Sequence, residues 1–389
     1  MRHLLPATTL AALTALAALP ARAITLDDAG KYQLTGFYQL TAGRVLSGQS
    51  RQSSQGSWSY QQWQCPCAIQ NWEYVGVYEH GKGWQADQES LVGFQGNARL
   101  TPSLSATAQM VVRPHNHERG DWTPTFDWAY LSWQASEDWT FHAGRKRIPL
   151  YYYSDYLYIG YAYPWIRPSA DVYGWPIFSY DGLTALYAKS LGSSDWTLNA
   201  SLWAGDSGKS HDNAYNTLIY YGTPGVEERW RDIRGAWVSL SNGVVETRLM
   251  TMVHHEDTEQ PGGLGVINNG QFTRLKGLSV NVDNDRFVAR TEWNRFEQRP
   301  NDPSRFIYNY FLIGAGYRFG TWLPMVTQSR YSVAPNTLTA REAHRTMALS
   351  LRWDFAKNTA LKMEYDIGQD KSEYSYPFFG SSRLLSVSL

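Results

Sequence analysis

Beyond residue 23, apolar and polar residues alternate along short segments, and clusters of Gly, Ser, Asn and Asp separate these segments. In one of them the odd-numbered residues from Met347 to Phe355 are apolar, whereas Ser350, Arg352 and Asp354 lie between them. A period of two places the two sets on opposite faces of a β-strand. The chain is therefore expected to form strands that have one apolar and one polar face.

Sixteen such segments are recognised, and short turns join them into hairpins. The turn at Ser241-Asn242-Gly243 is the strongest, because Asn-Gly favours the tight turn of a β-hairpin. Further short turns are predicted at residues 101–103, 136–138, 192–194, 283–285, 320–321 and 357–358. Short and long connections alternate, and the first long insert runs to about Gln88.

An even number of two-faced strands predicts an all-β fold, a closed antiparallel transmembrane β-barrel of about 16 strands over residues 24–389. The sheet must close on itself, because a bilayer cannot satisfy the backbone groups of an open edge. A soluble, Trp-rich, carbohydrate-binding β-sandwich is the alternative. In that fold too, charged residues could alternate with apolar ones.

The first 23 residues have the pattern of a secretory signal peptide. Arg2 and His3 precede an apolar stretch rich in Ala and Leu, and the small residues Ala21 and Ala23 mark a cleavage site. Export of the chain through the periplasm is therefore expected.

The charge and aromatic content narrow the function classes. The chain has 35 basic and 35 acidic residues, so a nucleic-acid partner is not expected. It has 26 Tyr and 17 Trp, and in a transmembrane barrel these residues form belts at the two lipid–water interfaces.

Two cysteines, Cys65 and Cys67, lie on either side of Pro66. In an oxidising compartment they are candidates for a disulfide that staples a loop, whereas a metal site would need further ligands. No cofactor, metal site or catalytic residue is predicted, since the spaced motifs of common hydrolases, phosphate-binding loops and zinc sites are missing.

Three stretches resemble strands of the sixteen-stranded trimeric porins of Gram-negative outer membranes in spacing and residue type. They are Glu89 to Gly96, Ala129 to Trp133 and Phe141 to Pro149. The chain departs from that family at its end, where Leu389 replaces the usual terminal aromatic residue. The resemblance implies that the third extracellular loop, about residues 148–180, folds into the barrel and narrows its lumen.

This third loop contains nine tyrosines and two tryptophans. Its rings either pack the loop against the inner wall or form a stacking track for sugars and other flat solutes. The resemblance further implies a transverse field between wall cations and loop carboxylates. The expected pore-constriction residues are Asp155, Asp171, Arg167, Arg113, Arg145 and Lys146.

Alternation places four more arginines on the lumen wall: Arg99, Arg248, Arg290 and Arg352. Each of them either contributes to the field or pairs with a carboxylate of the wall.

The expected function is passive diffusion of small hydrophilic solutes and ions through a water-filled pore of the outer membrane. The expected partners are the lipid bilayer, lipopolysaccharide and two further copies in a homotrimer. A substrate-selective channel that uses the aromatic loop is the alternative, and a barrel enzyme or an adhesin is a more distant one.

Overall fold

The computed structural model describes residues 24–27, 29–49, 63–71, 76–115, 121–175, 177–210, 225–299, 305–334, 342–372 and 380–389. The predicted signal peptide, residues 1–23, lies outside the described residues.

The described chain is built from β-strands, with two short 3-10 helices at Ser154–Tyr156 and Gly160–Ala162. The strands of the first half are β1 (Ile24–Thr25), β2 (Tyr32–Gln39), β3 (Thr41–Gln49), β4 (Cys67–Asn71), β5 (Gly76–Glu79), β6 (Leu91–Arg99), β7 (Leu104–His115), β8 (Asp121–Gln134), β9 (Trp139–Arg147) and β10 (Ser179–Ser190). Those of the second half are β11 (Thr197–Asp206), β12 (Lys209–Ser210), β13 (Glu227–Ser241), β14 (Val245–Gln260), β15 (Gly265–Asp283), β16 (Phe287–Arg299), β17 (Phe306–Tyr317), β18 (Trp322–Ala334), β19 (Glu342–Ala356), β20 (Thr359–Asp370) and β21 (Ser381–Ser388). Within the described ranges, no helix is long and apolar enough to cross a membrane.

One large antiparallel sheet contains nineteen of the described strands, and β4 and β5 form a separate hairpin. This confirms the all-β antiparallel prediction, but the predicted strand count of sixteen is wrong. The sheet includes the two-residue strands β1 and β12, and the first long strand is interrupted at Leu40. At that interruption the chain changes neighbour: β2 pairs with β6, whereas β3 pairs with the last strand, β21.

All seven predicted short turns join consecutive strands, and they lie at the same end of the strands. Four of them contain a residue with positive φ: Gly192 at +64°, Gly243 at +82°, Gly320 at +60° and Asn358 at +58°. Glycine and asparagine tolerate this left-handed conformation better than other residues, which explains why turn chemistry was readable from the sequence. The longer connections lie at the opposite end of the strands.

The two faces of the sheet have the reverse of the polarity found in a water-soluble protein. Apolar side chains on one face are exposed, for example Leu183 at 65%, Leu249 at 55% and Val326 at 53%. Polar side chains on the other face are buried, including those of Glu292 and Thr327. We call these the outer face and the inner face.

Aromatic rings collect on the outer face beside the short turns. Trp322 and Trp353 stack there with ring centroids 4.9 Å apart, and Trp139 lies 4.9 Å from Tyr187. Amphipathic rings at one level of an apolar surface are typical of a membrane–water interface.

Candidate functional site

The connection between β9 and β10, residues 148–178, lies against the inner face and is called the inner segment. It is two residues shorter than the predicted third loop, because β10 begins at Ser179. Its side chains Tyr151, Tyr163, Trp165 and Val172 are almost fully buried, and they pack in one cluster with wall residues such as Phe296 of β16. This hydrophobic cluster therefore lies on the inner face of the sheet.

Three of the four predicted lumen-wall arginines hold the inner segment. Arg248 donates to the carbonyl of Pro149 (3.1 Å), and Arg290 donates to the hydroxyl of Tyr153 (2.7 Å). Arg352 donates to the carbonyls of residues 161 and 163 at 2.9 and 3.1 Å. The fourth, Arg99, is exposed at the short-turn end of β6, away from the segment. Three of these wall cations therefore anchor the segment, and Arg290 and Arg352 also pair with the carboxylates of Asp283 (2.5 Å) and Asp354 (2.7 Å).

Lys362 is a further anchor that the sequence reasoning did not single out. Its ammonium is buried on the inner face of β20 and donates to the carbonyls of Gly160 (2.5 Å), Tyr163 (2.7 Å) and Trp165. The sequence did contain one signal: Lys362 is a polar residue in a strand where apolar and polar residues alternate, which predicts that it faces inward. Its partners are nearly 200 residues away in the sequence, so no local pattern could have named them.

Carboxylates and hydroxyls of the wall also hold the segment, and they do so by accepting hydrogen bonds from it. Glu292 of β16 accepts hydrogen bonds from the Tyr152 amide (3.0 Å) and the Tyr173 hydroxyl (2.8 Å). The indole of Trp165 donates to Thr327 of β18 at 2.7 Å. Most rings of the segment are thus held by the wall, and only Tyr156 and Tyr161 are more than 40% exposed.

Arg167, predicted at the constriction, is buried in an ion cluster. It contacts Glu89, and it bonds to Glu364 (2.9 Å) and Asp366 (3.3 Å) of β20. Burial lowers the pKa of Arg167, but the carboxylates of Glu89 and Glu364 raise it well above its ordinary value. The guanidinium is therefore a permanent cation that ties the segment to the wall, and it does not face an open lumen.

The described residues of the first insert, 63–71 and 76–88, also lie against the inner face, which the sequence did not predict. Its hairpin β4–β5 follows the disulfide that joins Cys65 and Cys67. Gln70 of this hairpin donates to Asp366 (3.4 Å), and the hydroxyl of Tyr78 donates to Glu89 (2.8 Å). The cavity between this hairpin and the inner segment is only about 40 Å³, so this side of the interior is filled by protein.

The predicted acidic pair separates in the structure. Asp171 accepts a hydrogen bond from Ser329 of β18 (2.7 Å) and lines the small cavity beside the first insert. Asp155 lies on the opposite side of the segment, where its charge acts on Lys146 and Tyr130. Only Asp155 is therefore placed to face a predicted wall cation.

The wall opposite Asp155 carries a compact polar and aromatic group. Lys146 of β9 lies 3.0 Å from Nδ1 of His142, and His142 stacks on Tyr130 of β8 with centroids 4.6 Å apart. Arg113, another predicted constriction residue, is buried, donates to Thr125 (2.6 Å) and lies 4.9 Å from the ring of Tyr158 in the segment.

Arg145 was predicted at the constriction, but the structure places it on the outer face. It forms a bidentate ion pair with Asp181 of β10 at 2.7 and 3.0 Å, and both side chains are exposed. The reason is the period of two: Arg145 lies between the inward residues of β9, and its strand partners are Ala129 and Asp181. At the end of β9, Arg147 is buried and pairs with Asp127 at 3.1 Å.

Other potential ligands do not converge. Among the described residues, no group of three or more His, Cys, Asp or Glu side chains is arranged to hold a metal ion. His254 is buried in β14 and stacks on Trp230 with centroids 3.9 Å apart.

No protein-family model matches the chain, and no curated protein sequence matches it either. Solved structures do match. The outer membrane channel DcaP of Acinetobacter baumannii aligns with TM-score 0.59 and 9% identity over 93% of this chain and 98% of that chain. OmpT of Vibrio cholerae aligns with TM-score 0.56 and 9% identity over 94% and 98%. An anion-selective porin from Comamonas acidovorans aligns with TM-score 0.52 and 12% identity over 92% and 98%.

These alignments cover nearly the whole length of each neighbour, whereas the sequence identity is close to the background level. Such a similarity shows a shared fold. The chain therefore has a fold similar to that of outer-membrane porins.

Proposed function

We propose that this protein is an outer-membrane channel through which small hydrophilic solutes and ions diffuse passively. The observation that carries the proposal is the reversed polarity of the sheet, with exposed apolar side chains outside and buried polar side chains inside. An apolar surface of this extent would aggregate in water, but it matches the hydrocarbon of a bilayer.

The wall of the channel would be a closed barrel. The support for closure comes from β2 and β3, which together form the first long strand. β2 pairs with β6 on one side, and β3 pairs with the last strand, β21, on the other. Leu40 also exchanges two backbone hydrogen bonds with Leu389, at 2.9 and 3.0 Å. Closure satisfies backbone groups that lipid could not satisfy.

The open path would run between Asp155 of the inner segment and the wall that carries Lys146. The first insert and Arg167 fill the opposite side, so a solute passes where an acidic and a basic group face each other. Opposite charges across a narrow, low-dielectric opening orient dipolar solutes and filter ions. An ion filter of this kind needs no catalytic residue, so we propose a transport protein and not an enzyme. The proposed assembly is a homotrimer.

Planar bilayer recording tests the proposal directly. Purified, refolded protein is expected to give stepwise conductance increments that scale with the conductivity of the salt solution. The deletion of residues 156–165 removes bulky rings from the lumen and is expected to increase the conductance. Protein that inserts into the bilayer without any conductance would refute the channel function.

A substrate-selective channel is the second candidate, and the exposed rings of Tyr156 and Tyr161 favour it. The guanidinium of Arg352 lies 4.5 Å above the ring of Tyr161, which gives a flat, partly charged surface. A selective channel would show concentration-dependent block of the ion current by a sugar or an aromatic solute. The Tyr161→Ala variant would relieve that block, and a general porin would show no block at all.

A further inference from the structure

Four cations form two like-charged pairs on the outer face. Lys276 of β15 is directly opposite Arg295 of β16, and Arg330 of β18 is directly opposite Arg345 of β19. Three of the four are exposed, and Arg295 is half-buried. Within the part of the chain that the structure describes, none of the four forms an ion pair or a side-chain hydrogen bond.

Like charges directly opposite on neighbouring strands repel each other and destabilise a sheet. Among the described residues, no free carboxylate lies on the outer face beside them. Strands β17 and β18 contain no acidic residue, and Glu342 of β19 is buried on the inner face. The one carboxylate on the outer face of β16, that of Glu297, is held by Arg299 (2.6 Å) and Arg305 (2.7 Å). The two pairs therefore lack a counter-charge.

The cations lie at a constant distance from the aromatic belt beside the short turns. On three strands an outer-face aromatic residue and an outer-face cation are eight positions apart: Phe287 and Arg295, Trp322 and Arg330, and Trp353 and Arg345. Eight residues of strand span roughly 26 Å, or roughly 20 Å in height at a tilt of about 40°. This approaches the height of about 25 Å of the apolar band of an outer-membrane barrel. The cations therefore mark the second rim of that band, on the side of the long connections.

We propose that each pair, Lys276 with Arg295 and Arg330 with Arg345, binds a phosphate group of a phosphorylated lipid headgroup in the outer leaflet. The inference rests on the proposed membrane location. A phosphate offers several acceptor oxygens to two cations at once, and guanidinium groups bind it with paired hydrogen bonds. Binding would convert each repulsive pair into a bridged one.

The test compares wild-type protein with the variant in which the four cations are replaced, K276Q/R295Q/R330Q/R345Q. Both are titrated in detergent with diphosphoryl lipid A, and bound lipid is counted by native mass spectrometry. At least about tenfold weaker binding is expected for the variant, because four basic residues near a charged headgroup are lost. Dephosphorylated lipid A is expected to bind both proteins equally weakly.

Two controls separate a specific effect from loss of charge or of fold. R286Q/K357Q removes two exposed cations at the short-turn edge and is expected to leave the affinity unchanged. R330K/R345K keeps the charge and is expected to keep most of the binding. Without lipid, the fourfold variant is expected to be at least as heat-stable as the wild type, since repulsion is removed.

Equal lipid A binding by wild type and the fourfold variant would overturn the proposal, even if both form channels. Competition by millimolar inorganic phosphate at constant ionic strength would also overturn it, since the site would then select a free anion. Absence of conductance in wild-type protein would refute the channel function. The comparison of lipid A binding between wild type and the fourfold variant would still test the lipid site.

Discussion

Replacing Lys362 by methionine is expected to release the inner segment from the wall. The lysine ammonium satisfies the carbonyls of Gly160, Tyr163 and Trp165, and the Tyr163 carbonyl also accepts a bond from Arg352 (3.1 Å). The Gly160 carbonyl keeps the weak bond from the Tyr163 amide (3.5 Å), so the variant leaves one buried carbonyl, that of Trp165, without a partner. An unpaired buried carbonyl costs about 1–3 kcal/mol, and this loss is partly offset because a buried charge is removed.

A net loss of about 2 kcal/mol corresponds to roughly a thirtyfold increase in the open population of the segment. Hydrogen–deuterium exchange of peptides from residues 148–178 measures this population, because local opening controls exchange of protected amides. The variant is expected to exchange faster in this segment, with strand peptides unchanged, and to show noisier single-channel currents.

Lys189→Met provides the matched control. That lysine is exposed and bonds only to Asp138 at 3.1 Å beside a short turn, so its removal should alter neither the exchange nor the noise. If Lys362→Met leaves the exchange of the inner segment at the wild-type rate, the ammonium does not anchor it and the reasoning is wrong.

Further predictions concern the outer face, the proposed field and the ion cluster. Leu249→Arg on the outer face should cost about 2–4 kcal/mol in a urea-unfolding series in lipid, whereas Thr107→Arg on the inner face should be tolerated and reduce the conductance; equal stability would show that the faces are misassigned. Asp155→Asn should shift the reversal potential in a salt gradient toward anion selectivity, with Asp171→Asn as the unchanged control. Arg167→Met should destabilise the folded form by about 3–5 kcal/mol, because it leaves buried carboxylates without their cation. The midpoint of heat denaturation should fall accordingly, and an unchanged midpoint would show that Arg167 does not stabilise the fold.

The strand pattern was readable from the sequence because it depends on local chemistry. Alternation with a period of two fixes which residues share a face, and the odd residues around Leu349 do lie on the exposed apolar side. Turn residues such as Gly243 and Asn358 follow from backbone conformations that few residues adopt. Arg145 was predicted at the constriction because it lies near the third loop, but adjacent residues of a strand face opposite sides, so Arg145 and Lys146 could not both point inward.

The partners of the inward residues depended on the tertiary structure. Arg167 was recognised as a cation of the third loop, but its contacts with Glu89 and Glu364 join parts of the chain that are far apart in sequence. The hairpin of the first insert is placed for a similar reason, since Gln70 finds its acceptor Asp366 only once β20 is in place.

The sequence by itself thus determined the strands, their turns and their two faces, because hydrophobic alternation and turn propensity act over a few neighbouring residues. Only the tertiary structure decided which cations are anchors, such as Lys362, and that the two loop carboxylates Asp155 and Asp171 lie apart. Those roles depend on distances across the interior, and the distances follow from how the whole sheet curves around the inner segment.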